Sequence, residues 1–124
     1  MEWLPGDSPI DDDLLGKEIK ADDIAAGNER VYQIAKSLGL ADDQIDTSAA
    51  TTTVLDLVRA VACARRAKLK AGRQPYGEPD AYFSKAKIYQ DEVDRLSKMI
   101  TESDFTGAEP TIYDAVFSIE LGRC

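Results

Sequence analysis

Residues 82–100 read Tyr82-Phe83-Ser84-Lys85-Ala86-Lys87-Ile88-Tyr89-Gln90-Asp91-Glu92-Val93-Asp94-Arg95-Leu96-Ser97-Lys98-Met99-Ile100, and their periodicity sets the fold class. Tyr82, Ala86, Tyr89, Val93, Leu96 and Ile100 recur at alternating steps of four and three. On an α-helix that spacing draws one apolar stripe along roughly 30 Å of axis, since each residue advances about 1.5 Å. Pro79 suits the first turn of such a helix, where its missing N–H leaves nothing unpaired. Lys87 with Asp91, Asp91 with Arg95, and Asp94 with Lys98 stand four apart. They are expected to pair on the outer face, at about 0.3 kcal/mol each. About three heptads make too short a seam for a free-standing coiled coil, so the stripe is read as the core face of an antiparallel bundle.

Upstream, a second helix is expected from Thr47 or Ser48 to about Ala71. Val54, Val58, Val61 and Ala62 line one side of it, with Leu55 and Leu69 close by. Ala49, Ala50, Ala60, Ala62, Ala64 and Ala67 reduce side-chain bulk and let neighbouring helices approach. The β-branched run Thr51-Thr52-Thr53 is a poor helix former at its start. Gly72 ends the helix, and Gln74-Pro75-Tyr76-Gly77 is a turn. A further helix is expected from Ala21 to Leu38, with Asp22 and Asp23 at its positive end. Ile24, Val31, Ile34, Ala35 and Leu38 form its apolar face. Gly39 followed by Leu40 is a stop, with glycine left-handed and leucine folding back onto the last turn. Ala41 to Asp46 reads as a polar connection anchored by Ile45.

The two ends differ from this middle. Residues 1–19 hold the breakers Pro5, Gly6 and Pro9 and the charge run Asp11-Asp12-Asp13. They also hold Trp3, Leu4, Ile10, Leu14, Leu15 and Ile19, more apolar area than a disordered leader carries. They read as an extended arm that packs on its own domain, on a neighbour, or on both. After Gly107 and Pro110 the period shortens: Phe117, Ile119 and Leu121 alternate with Ser118 and Glu120, as in a half-buried strand, with Ile112 and Tyr113 before it. A lone strand leaves its backbone groups unpaired, so this tail is expected either to pair with another subunit or to be a short helix. The fold class expected is mainly α: a three-to-four-helix antiparallel bundle over residues 20–106, an arm over 1–19 and a strand-like tail over 107–124.

With 124 residues the chain has the size of one domain. Its 44% hydrophobic and 31% charged residues are a globular balance. No run approaches the ~20 apolar residues of a membrane span. The start, Met1-Glu2-Trp3-Leu4-Pro5-Gly6-Asp7, lacks the basic and apolar regions of a secretory signal, so a cytoplasmic setting is expected. Fifteen Lys and Arg against 23 Asp and Glu give a net charge of −8. That balance opposes general affinity for nucleic-acid phosphates. The one basic concentration is Arg59, Arg65, Arg66, Lys68, Lys70 and Arg73. Such cations near a helix C-terminus favour its dipole and can pair with carboxylates elsewhere, including the acidic arm of a second copy.

The catalytic inventory is thin. There is no histidine, which removes the commonest general base and metal ligand. Two cysteines cannot make a zinc site of three or four ligands. Cys63 reads as a small buried hydrophobe and Cys124 as a chain end in a reducing compartment. No glycine-rich phosphate loop is present, and Asp42-Asp43-Gln44-Ile45-Asp46 lacks the glycine and the twelfth-position glutamate of a calcium loop. The expectation is a protein with no catalytic, cofactor or metal residues. It docks on other chains through Trp3, Leu4, Arg65, Arg66, Ile112, Phe117, Ile119 and Leu121.

The order of Asp22-Asp23-Ile24 at a helix entry, the alanine-rich helix from Val54 to Ala71, and Tyr82-Phe83-Ser84-Lys85-Ala86-Lys87-Ile88-Tyr89 running on to Leu96 and Ile100 resembles the small head–tail connector proteins of long-tailed bacteriophages. The likeness spans residues 20–100 and is one of pattern and length. It implies a helical subunit of a virion, assembled in the bacterial cytoplasm as a ring between portal and tail. It implies self, portal and tail partners, and DNA passing through without being bound. The proline-containing acidic arm and the alternating tail depart from the family pattern. The competing reading is a small acidic regulator or inhibitor that binds a DNA-handling protein by imitating phosphate charge.

Overall fold

The computed structural model describes residues 2–48, 50–71 and 81–106. They are mainly helical, without a strand among them: α1 (Ala21–Ser37), α2 (Asp42–Asp46), α3 (Thr52–Lys70), α4 (Ala81–Met99) and α5 (Ser103–Thr106). The expected strand-like tail and the turn around Pro75 lie outside the described residues.

The first helix starts and stops as its sequence dictates. The Asp23 carboxylate reaches back to accept the Lys20 N–H at 2.9 Å, satisfying one of the donors that a helix start leaves open. At the other end Gly39 takes a φ of +89°, which only glycine adopts without strain. The Leu40 N–H then donates to the Ala35 carbonyl at 3.2 Å and the Gly39 N–H to the Lys36 carbonyl at 3.0 Å, while Leu40 is buried.

The stretch after Leu40 departs from expectation. Residues 42–46 are a short helix rather than an open connection, held by the Ala41 N–H donating to Gln44 Oε1 at 2.8 Å. Ile45 is fully buried beneath it, the anchor its isolation suggested. α3 begins at Thr52, not at Thr47 or Ser48. Ser48 is engaged elsewhere: its hydroxyl donates to the Ile45 carbonyl at 2.7 Å and accepts the Trp3 indole N–H at 2.9 Å. Thr51 becomes the cap, its Oγ1 accepting the Val54 N–H at 3.3 Å. Within α3 the fully buried face carries Leu57 beside Val54 and Val58, whereas Leu69 is 42% exposed instead of lying close to the core.

α3 packs against both α1 and α4. Where it crosses α1 the backbones nearly touch: a Cβ on Gly27 would sit 2.5 Å from the Val58 carbonyl oxygen and 2.9 Å from the Val58 Cα. Ala60, Ala62, Ala64 and Ala67 are buried, so small side chains thin the whole α3 interface as expected. The α4 stripe faces inward: Ala86, Val93, Leu96 and Ile100 are buried, and Tyr82 and Tyr89 pack half-buried against the same cluster. The pairs expected four apart on its outer face are replaced. Arg95 reaches Glu92, three residues back, with both Nε and Nη2, and Gln90 Nε2 donates to Asp94 at 3.2 Å.

The arm completes the core. Trp3, Leu4, Ile10 and Leu15 belong to the same apolar cluster as the helices, and the Trp3 ring meets Phe105 of α5 edge-on at 6.0 Å. Trp3 and Leu4, expected at an interface, are 5% and 6% exposed and have no surface to offer a partner.

Candidate docking surface

Three polar clasps hold the arm down, and together they decide which charges remain on the outside. The first is Asn28 on α1, which with Asp23 is one of two polar residues buried as whole residues among the described ones. Its Oδ1 accepts the amides of Trp3 and Leu4 at 3.0 and 3.1 Å, and its Nδ2 donates to the Leu4 carbonyl at 2.9 Å. An irregular segment has no ladder to pair its backbone, so a side-chain amide takes that place.

The second clasp centres on Asp12, whose side chain is 2% exposed. It accepts the amides of Leu14 at 2.9 Å and Leu15 at 2.6 Å, Lys85 Nζ at 3.1 Å and the Tyr89 hydroxyl. Gly16 closes the turn, its N–H donating to the Asp12 carbonyl at 3.0 Å. Burial pushes the Asp12 carboxyl upward, but the Tyr89 hydroxyl, the two amides and Lys85 outweigh it and hold the pKa at about 2. Tyr89 moves the other way, raised by burial and by its bond to Asp12. The neighbouring Cys63 thiol is pushed up to about 11, chiefly by burial. It stays protonated and behaves as the small hydrophobe its setting suggested. In the third clasp Glu18 meets Lys70 Nζ at 2.6 Å, and Lys70 lies over the Tyr82 ring at 5.7 Å.

Every described cation of α3 makes a contact within the chain, though not every one meets a carboxylate of its own. Arg59 pairs with Asp56 at 3.1 Å. Arg66 Nε donates to Asp23 at 2.9 Å, and Arg65 holds the other oxygen of the same carboxylate. Asp23 is fully buried; burial raises its pKa, but the Lys20 amide, Arg66 and Arg65 prevail and hold it below the usual carboxylate range. Lys68 donates to Gln90 and Lys70 to Glu18. Arg73 lies outside the described residues.

Of the residues expected to face a partner, the structure therefore buries Trp3 and Leu4 and ties Arg65 and Arg66 to Asp23. Ile112, Phe117, Ile119 and Leu121 lie outside the described residues. Sequence reading missed Asn28 altogether, because its partners are 24 and 25 residues away and no local pattern marks them. Three hollows flank α4 among the described residues. One of about 530 Å³ runs between the arm, α3 and α4, with Ile88 on its wall 59% exposed. A second, about 380 Å³, lies between the end of α3 and α4, with Lys68, Lys87 and Asp91 in its lining, and a third, about 220 Å³, joins α1, α3 and α4. No described helix is long and apolar enough to cross a membrane. Comparison with known proteins finds no family model, no curated protein and no solved structure that matches this chain.

Proposed function

We propose that the chain is a structural virion protein, a head–tail connector subunit that joins a ring between portal and tail and acts by docking rather than by catalysis. The observation that carries the reading is the fate of the α3 cations: each described one is bonded to a group of its own chain. Among the described residues α3 therefore keeps no continuous row of unengaged cations to track phosphates, and the chain carries a net charge of −8. A surface of that sign lets DNA pass a ring wall without being trapped. In this reading α1, α3 and α4 are an antiparallel bundle. The C-terminal residues Ile112, Phe117, Ile119 and Leu121, in a strand-like tail, contact neighbouring copies.

Negative-stain images of the purified chain mixed with the portal protein of the same virion test the proposal. A ring of added density on the portal is expected, and a matched titration with duplex DNA should show no complex. An inert monomer that leaves the portal bare would contradict it. So would capture of a nuclease or repressor in place of the portal, which is the outcome the acidic-regulator reading expects.

A further inference from the structure

The pairings along α3 do not cancel all of its charge. Of the five described cations, Arg59 and Lys70 are each neutralised by a carboxylate, whereas Arg65 and Arg66 share the single charge of Asp23. Lys68 is bonded to the neutral amide of Gln90. The surplus collects in one place. Arg65 and Lys68 line the 220 Å³ hollow together with Arg30 of α1, which is exposed and has no carboxylate partner among the described residues. Val61, Ala64 and Val93 supply its apolar lining, Gln90 lines it as well, and among the described residues no carboxylate does. On a chain with 23 acids and 15 bases, three cations around an apolar lining form a local reversal of sign.

We infer that this hollow is a docking site for an acidic, apolar-anchored peptide segment of a different protein, with carboxylates meeting Arg30, Arg65 and Lys68 and one aliphatic or aromatic side chain seated on Val61 and Val93. The occupant is peptide rather than polyphosphate because part of the lining is apolar and the net charge of the chain is negative. The acidic arm of a second copy offers only Glu2, Asp7 and Asp11, dispersed among its breakers. Its Asp12, Asp13 and Glu18 are already held by Lys85 and Lys70 of the same chain. The inference holds for a docking protein of any kind and does not depend on the connector reading.

The test uses the full chain and a fluorescein-labelled synthetic peptide alternating glutamate with leucine and phenylalanine. Its controls are the lysine counterpart of that peptide and a single-stranded DNA oligonucleotide of equal negative charge. Fluorescence anisotropy should show binding of the acidic peptide alone, weakening as salt is raised. The double variant R30E/K68E should lose at least about tenfold in affinity, as reversed charges do at a site that selects its partner by sign. Both side chains are exposed, so the fold should survive, and circular dichroism checks it. The single variant Arg30→Glu serves if the double does not fold. Unchanged affinity in the variants would overturn the inference, as would equally tight binding of the oligonucleotide. Two further results would assign the hollow to another occupant and also overturn it: nuclear Overhauser contacts from Arg30 or Lys68 to residues 107–124 in the peptide-free chain, or self-association that the double variant abolishes.

Discussion

At the scale of single residues, two side chains do work that no apolar contact could replace. Asn28 satisfies two amides and one carbonyl of the arm from inside the core. Asn28→Ala leaves those three groups buried without partners, and the chain should lose about 3 kcal/mol in urea unfolding. A loss within experimental error would mean that water reaches the arm freely. Asp12 carries a pH dependence with a definite sign. Its folded pKa of about 2 lies below the ordinary 3.8, so its contribution is present in full above the unfolded value. That contribution, about 2 kcal/mol, drains away as pH falls from about 4 toward 2. Asp23 is lowered as well and adds to the same slope. Asp12→Asn, neutral throughout, should unfold with a visibly flatter dependence on pH across that window than the parent chain. Identical slopes would show that the Asp12 clasp does not form.

At the scale of elements, what the sequence made legible was local and periodic. The α4 stripe faces the core along its length because a step of four and three fixes a face without reference to anything else. The Gly39-Leu40 stop was readable for the same reason, since its bonds span only five residues. α3 was misjudged where tertiary contacts take over. Ser48 is claimed by the Trp3 indole from 45 residues away, so the helix waits for the weaker cap of Thr51. The sequence leaves open whether Trp3 and Leu4 pack on their own domain or on a neighbour, because an irregular arm has no period from which an inward face can be read; they pack on their own domain. Gly27 carried no mark in the sequence either, yet it sets how closely α1 and α3 cross. Gly27→Ala gains about 1 kcal/mol of helix propensity. Against that, its Cβ would meet the Val58 carbonyl oxygen and Cα, which are backbone and cannot rotate aside. Overpacking of this kind costs about 3 kcal/mol. The variant should therefore be less stable than the parent by about 2 kcal/mol in urea, the difference of these two effects. A more stable variant would mean that the helices stand further apart.

At the scale of the whole molecule, the chain secures its own N-terminal arm and engages the described cations of α3, while its net charge stays at −8. That charge distribution depends on the arm being internal. If a neighbouring copy held it instead, Trp3 and Leu4 would return to the interface, and the charge balance on which the proposed ring wall rests would have to be redrawn. The Trp3 indole N–H reports on this directly, because its hydrogen bond to Ser48 forms only when the arm lies on its own chain or on an exchanged copy. Its hydrogen exchange, measured by NMR at two widely separated protein concentrations, should show strong protection that does not change with dilution. Fast exchange in the dilute sample would contradict the account.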